Sequence, residues 1–301
     1  LRLFFLLLLH FGTTSISVKQ SISQFACLFR CGHYFYPKQT TAIVSTVQFE
    51  VQEHLAIIRL NRPDKLNSIN REMALALHTH LDACAENKNI RAVLITGEGR
   101  AFCAGQDLEE AIDTDGPGLQ RIVSEHYNPL IMRIRRLEKP VIAAVNGVAA
   151  GAGANIALCC DIVVAAQNAS FIQAFSAIGL IPDSGGTFTL PRLVGRQKAS
   201  ALMMLGDKIS AEEAERMGMI YKWYSSENFA VESLQLGHRL SQMPTRGLAL
   251  TKKALEVSDA NDLETQLQVE DELQTRAGQT FDYSEGVAAF LEKRKPQFKG
   301  E

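Results

Sequence analysis

Net charge is nearly absent from this sequence: −2 at pH 7 over 301 residues. A near-neutral chain offers no strong attraction for a polyanion, so no nucleic-acid partner is expected. Long apolar runs are missing too. The stretch Leu1 to Phe11, with Arg2 in front, is too short to span a bilayer, and no membrane partner is expected. The six cysteines show no metal-ligand spacing. Cys27 and Cys31 stand alone, with no second Cys/His pair at zinc distance after them. Cys159 and Cys160 lie in an apolar run and read as small core residues. No metal site is expected, and this cysteine usage fits a reducing compartment such as the cytoplasm.

Acidic residues are absent before Glu50, and methionine is absent before Met73. The segment 1–42 carries Lys19, Arg30 and Lys38 among many Ser and Thr. It fits a signal peptide poorly, since no small-residue cleavage site closes it, and it fits an organelle transit peptide, which would imply import. We read it as translated upstream sequence from a misplaced start. All three readings place 1–42 outside the fold.

The remainder has the composition of a globular domain with an ample core, 46% hydrophobic and 21% charged over the whole chain. Val47-Phe49-Val51 alternates and Leu55 to Leu60 is an apolar strand, a hairpin around Gln52-Glu53-His54. Asn70 is placed to cap a helix whose inner face is Met73, Leu77, Leu81 and Cys84. Strands are expected at Arg91 to Thr96, Phe102 to Ala104, Pro140 to Val145 and Ile162 to Ala166. A helix is expected from Leu119 to Leu137, and Asp107 is placed to cap one starting at Leu108. After Asp183 the pattern is helical to the end. Strands alternating with helices, then helices alone, indicate an α/β fold with a helical C-terminal region.

The stretch Ile178-Gly179-Leu180-Ile181-Pro182-Asp183-Ser184-Gly185-Gly186 sets one carboxylate between a proline turn and two glycines. On local sequence alone a turn or helix cap is the plainer role for Asp183. A carboxylate losing water in such a setting instead has a raised pKa, which suits proton transfer to and from carbon. Two small-residue turns before helices, Ala104-Gly105-Gln106-Asp107 and Gly151-Ala152-Gly153, can present free backbone N–H groups to one oxygen. They can equally be ordinary strand-to-helix loops. A dinucleotide fingerprint fails because Ile156 stands where Gly or Ala is needed. Asp-Ser-Gly-Gly of a trypsin-like protease fails for want of an all-β chain with its own His and Asp contexts. His78 and His80, two apart on one helix, face different sides and cannot share a metal.

Three motifs carry a resemblance: Phe102-Cys103-Ala104-Gly105-Gln106-Asp107-Leu108, the run from Lys139 to Gly153, and Cys160-Asp161-Ile162-Val163. With the ending Glu292 to Phe298 they resemble the crotonase (enoyl-CoA hydratase/isomerase) superfamily from about Val47 onward. The resemblance implies a spiral of ββα units over 43–240 and a helical oligomerisation region over 241–301, assembled as a homotrimer or dimer of trimers. It implies an acyl-CoA substrate and no cofactor, coenzyme A being part of the substrate. Gln106 and Ala152 would supply the oxyanion-hole N–H groups, though the family usually has Gly where Ala152 stands. Coenzyme A would be held by Lys65, Leu66 and the backbone from Ala104 through Asp107 to Leu108, with Lys293 reaching a phosphate. Hydratases of the family carry glutamates at the positions of Asn155 and Phe175, which here would line the substrate. Phe175, Ile178 and Leu180 can exclude water from the site or can equally be plain core packing. With its carboxylate at Asp183, the chain is similar to the isomerases, acting on ring-1,2-epoxyphenylacetyl-CoA or moving a Δ3 double bond to Δ2. A hydratase, or an inactive subunit of this fold, is the alternative.

Overall fold

The computed structural model describes residues 45–301, so the expectations placed on 1–42 lie outside the described residues. β1 (Val47–Gln52) and β2 (Leu55–Leu60) pair antiparallel from Val47↔Leu60 to Gln52↔Leu55. The two-residue turn between them puts Glu53 at φ 53°. α1 (Arg71–Glu86) starts where the Asn70 side chain accepts the Met73 N–H at 3.0 Å. Its buried face holds Met73, Leu77, Leu81 and Cys84, as the spacing predicts.

β3 (Ala92–Gly97) and β4 (Ala101–Cys103) follow, then α2 (Leu108–Ala111), capped by Asp107. The helix expected at 119–137 is present in three pieces: α3 (Gly118–Arg121), a π-helical segment Ile122–Tyr127, and α4 (Asn128–Arg136). Pro129 has no N–H to offer the preceding turn, and the wide segment ends there. Next come β5 (Val141–Val145), β6 (Val148–Ala150), α5 (Ala152–Leu158), β7 (Ile162–Ala166) and β8 (Ser170–Ile172). They are followed by α6 (Gly186–Val194), α7 (Arg196–Leu205), β9 (Lys208–Ser210), α8 (Ala211–Arg216) and β10 (Lys222–Tyr224). The chain ends in α9 (Phe229–Ser241), α10 (Thr245–Ser258), α11 (Leu263–Gly278) and α12 (Phe281–Glu292).

The strands form two sheets, ordered β1-β2-β3-β5-β7-β10 and β4-β6-β8-β9. Among the described residues only the β1–β2 and β8–β9 pairs are antiparallel. Each turn of the spiral lays its first strand on the large sheet (β3, β5, β7) and its second on the small one (β4, β6, β8). β3 and β5 are buried along their whole length and so read as continuous apolar runs. β6, β8, β9 and β10 escape sequence reading, each being three residues and too short to show alternation. β6 ends directly before the expected Gly151-Ala152-Gly153 turn.

The C-terminal segment is tied back by two buried charged groups. Asp282 accepts the N–H groups of Lys299 at 2.6 Å and Gly300 at 2.8 Å. Arg91 donates to the Phe298 and Met243 carbonyls and to Thr245 Oγ1. Leu263 and Leu267 on α11, and Phe290 and Leu291 on α12, are exposed. Among the described residues no helix is long and apolar enough to cross a membrane.

Candidate active site

β4 and β6 are parallel neighbours, so the loops at their C-terminal ends leave the small sheet side by side. β8 lies next to β6 in the same direction and sends the segment toward Asp183 off that same edge. The topology therefore gathers residues 104–107, 151–153 and 173–184.

The two loops approach closely because glycine allows it. Gly105 has φ 96°, and a Cβ there would lie 3.0 Å from the Ala150 carbonyl oxygen and 3.5 Å from the Ala152 nitrogen. A Cβ on Gly153 would lie 2.3 Å from the Cys103 oxygen, so α5 sits directly against β4. Gly151, at φ 53° and ψ −127°, turns the chain into α5, leaving Ala152 as its first residue. The N–H of Ala152 has no intrahelical acceptor there. Its backbone does not need positive φ, so alanine is no obstacle to presenting it.

Gln106 has a different reason for a free N–H. Ile69 and Gln106 form an isolated parallel bridge: the Ile69 N–H bonds to the Gly105 oxygen at 2.7 Å, and the Asp107 N–H to the Ile69 oxygen at 2.9 Å. Both bonds come from the residues flanking Gln106, whose own N–H points away from Ile69. The Gln106 side chain is locked as well. Its Oε1 accepts Tyr127 Oη–H at 2.8 Å, and its Nε2 donates to Glu110 Oε2 at 3.0 Å and the Asp107 oxygen at 3.1 Å. Tyr127 is fully buried, and burial pushes its phenol well above the ordinary range.

Asp107 is buried and caps α2, accepting the Glu109 N–H at 3.1 Å, while Arg62 Nη2 stands 2.7 Å from its other oxygen. Its side chain shapes the loop and is spent on doing so. The Ala104 N–H donates to the Leu66 oxygen at 3.0 Å, which joins the Lys65-Leu66 turn to the same edge. Lys65 pairs with Glu109 at 2.6 Å on the surface, and Leu108 is exposed beside it in sequence. Asn67, fully buried, props this turn by donating to the Glu98 and Ala101 carbonyls. Lys293 ends α12 in the left-handed conformation and is exposed. Among the described residues it makes no hydrogen bond or ion pair to these segments.

Asp183 is partly buried, and burial raises its carboxyl pKa. The Ser184 hydroxyl and the Asp183 backbone N–H oppose that rise. Asn155 is wholly buried beneath it: Nδ2 donates to the Asp183 carbonyl oxygen at 2.9 Å, and Oδ1 accepts Gln173 Nε2 at 2.8 Å. Both ends of the Asn155 amide are thus bonded within the protein. Phe175 is buried, its ring edge 3.8 Å from where a Gly151 Cβ would stand. Ile178 and Leu180 are exposed, 55% and 39%, and do not shield Asp183 in this chain. Ile178 ends a short 3-10 turn, Ser176–Ile178, and Leu180 follows its left-handed cap Gly179, φ 72°. His78 and His80 face apart as expected: His78 is buried against the His126 carbonyl, and His80 stacks on Phe49.

Residues 50–301 match the family model described as enoyl-CoA hydratase/isomerase. The chain belongs to the enoyl-CoA hydratase/isomerase family. It is 49% identical over 253 residues to the 1,2-epoxyphenylacetyl-CoA isomerase of Escherichia coli (strain K12), covering 83% of this chain and 97% of that one. It is 44% identical over 259 residues to a probable enoyl-CoA hydratase of Rhodobacter capsulatus, covering 85% and 98%. A crystal structure of a putative enoyl-CoA hydratase/isomerase from Mycobacterium abscessus superposes with a TM-score of 0.81 at 36% identity, covering 85% of this chain and all of that one. The fold is thus the crotonase spiral, and the enzyme is an isomerase or hydratase of that family.

Around the candidate site, three residues are not singled out by sequence. Gln173 supports Asn155, Asn67 supports the Lys65-Leu66 turn, and Ser184 touches the carboxylate itself. Ser184 sits inside the motif around Asp183, but nothing in a sequence shows which way a hydroxyl turns.

Proposed function

We propose that this chain is an acyl-CoA isomerase in which Asp183 carries a proton between two carbons of a thioester substrate. The observation behind this reading is the Asp183 carboxylate: partly buried, raised in pKa by that burial, and held at the edge where two loops present N–H groups. A carboxyl group shifted toward neutrality is matched to both halves of a proton shuttle. The thioester oxygen would rest between the N–H groups of Gln106 and Ala152. Loss of one such donor typically costs about 10²–10³ in rate.

For a Δ3-enoyl-CoA, the Asp183 carboxylate takes a C2 proton. The electron pair spreads through the former double bond and onto the thioester oxygen. The carboxylic acid then returns its proton to C4, leaving the double bond at C2–C3. No atom or electron is gained or lost, and no metal or redox cofactor takes part. The likeness to the Escherichia coli isomerase supports ring-1,2-epoxyphenylacetyl-CoA as a substrate. There the same N–H pair would favour the charge redistribution that opens the epoxide into the seven-membered oxepin. Coenzyme A would lie along Lys65, Leu66 and the Ala104 to Leu108 backbone, with Lys293 supplied by a neighbouring subunit. The exposed leucines and phenylalanine of α11 and α12 fit self-association, as a homotrimer or dimer of trimers.

Hydration is the second reading, favoured by the likeness to the Rhodobacter capsulatus relative. It is disfavoured by Asn155 and Phe175, neither of which has a basic side chain to activate water. Mass analysis of products from epoxidised phenylacetyl-CoA, a Δ3-enoyl-CoA and crotonyl-CoA decides. Isomers from either of the first two support the proposal. Water addition to crotonyl-CoA as the dominant activity contradicts it, and binding with no turnover would indicate an inactive subunit.

A further inference from the structure

We infer that Ser184 is a positioning residue that occupies one oxygen of the Asp183 carboxylate and leaves the other as the proton acceptor. This rests on the reading of Asp183 as the shuttle. Three observations carry it. Ser184 Oγ donates to Asp183 Oδ1 at 2.9 Å. Ser184 is 2% exposed, and among the described residues its hydroxyl has no other hydrogen bond. Its backbone stands at φ 52°, in the left-handed region, followed by Gly185 at φ 72°.

The third observation gives the first two their weight. A bend of two consecutive left-handed residues suits glycine at both places, and a serine enters it at a steric cost. Glycine would satisfy the backbone at 184 without strain, but it has no hydroxyl. The strained residue therefore supplies the one group that glycine cannot, aimed at the carboxylate next door. Strain of this kind is a reason to look for function when the outlier is observed directly.

The surroundings keep that hydroxyl in place. Asn155 Nδ2 holds the Asp183 carbonyl, and Cys159 Sγ lies 3.4 Å from the Ser184 carbonyl oxygen. The bend is thus pinned on both peptide groups, from α5 and from the residue that caps its C-terminus. Among the described residues the titratable groups facing it are Tyr127, from the π-helical segment, and Cys159, the C-cap of α5. Burial raises both, so both stay neutral near neutral pH. Among the described residues no charged neighbour contributes to the Asp183 shift. The hydroxyl is then the main side-chain group that favours the ionised form, working against burial. A single fixed acceptor oxygen also reduces the orientations the carboxylate must search before proton transfer.

The test compares wild type, Ser184→Ala, Ser184→Gly and Asp183→Asn across pH, with Δ3-hexenoyl-CoA as the probe. Removing a donor to the ionised form makes the carboxylate harder to ionise. The acid limb of kcat should therefore move to higher pH in both serine variants. Plateau kcat should fall about tenfold, the scale of one hydrogen bond to a charged group, with KM little changed. Ser184→Gly relieves the bend and should melt no lower than wild type, so instability cannot account for its shift. An acid limb unmoved in both variants, with Asp183→Asn inactive, overturns the role of Ser184 and leaves the shuttle standing. Loss of activity in Ser184→Ala alone also overturns it, by tracing the effect to backbone strain. An active Asp183→Asn, or a wild type that does not isomerise the probe, overturns the shuttle reading itself.

Discussion

Asn155 Nδ2 and the Asp183 carbonyl oxygen are 2.9 Å apart, and this bond makes the buried side chain at 155 a bracket for the segment that carries Asp183. An amide can do this because it donates at one end and accepts at the other, here from Gln173. A glutamate at 155 would accept only and would set a buried charge near the Asp183 carbonyl. Asn155→Glu is predicted to confer no hydratase activity and to destabilise the fold by about 3 kcal/mol or more. Crotonyl-CoA hydration and a urea melt check the two halves, and rapid hydration by a stable variant would contradict the bracket role.

Asn155→Ala is the milder case. It leaves the Asp183 carbonyl and the Gln173 amide without their partner and should cost about 1–3 kcal/mol of stability. Turnover should fall much less than in Asp183→Asn. Equal losses in a steady-state assay would mean that Asn155 takes part in the chemistry directly.

Gly186 is the neighbour that makes room for the bracket. A Cβ there would stand 2.2 Å from Asn155 Nδ2. Gly186→Ala should displace the amide, costing about 1–3 kcal/mol as overpacking does. It should lower turnover as well, since Asp183 would lose its support. Wild-type values for both would show that the bracket tolerates movement.

Ala152→Gly should leave turnover within about twofold of wild type, because the N–H assigned to the oxyanion hole is kept. A glycine at the first helical position lowers stability by at most about 0.5–1 kcal/mol. A collapse of turnover, measured beside a thermal melt, would show that the Ala152 methyl group contributes what we assign to its N–H.

Much of the fold was legible in the sequence because long elements carry their period. The buried face of α1 and its start at Asn70 follow from spacing and a cap. Of the three-residue strands of the small sheet, β4 is expected from sequence, but β6, β8 and β9 are not, and β6 and β8 help gather the candidate site. Asp183 and the two turns could be found as motifs. That β4 and β6 are parallel neighbours, bringing Gly105 close to Ala152, depends on pairings between segments far apart in the chain. Asn155 can be singled out by its position in the sequence, but the groups its amide bonds cannot. Its orientation is set by burial under the 173–183 segment, which no local pattern reports.

Burial of Asp183 has a consequence for stability against pH. Its folded pKa is raised, so below the ordinary carboxylate range both folded and unfolded forms are protonated and it contributes nothing. As pH rises the unfolded carboxyl ionises first, and the folded state is penalised until pH passes the folded value. Asp183→Asn should therefore melt at or above the wild-type temperature near neutral pH, with the difference vanishing in acid. A variant less stable than wild type at neutral pH would mean that the ionised carboxylate supports the fold.

Proton exchange at the substrate tests the central claim most directly. Wild type and Asp183→Asn are each mixed with a Δ3-enoyl-CoA in D₂O, and deuterium entry at the acidic C–H positions is followed by mass spectrometry alongside isomerisation. If Asp183 is the shuttle, turnover falls about 10²–10⁴-fold in the variant. Deuterium entry vanishes with it, while the acyl-CoA still binds. A variant that retains full exchange and full isomerisation would remove Asp183 from the chemistry.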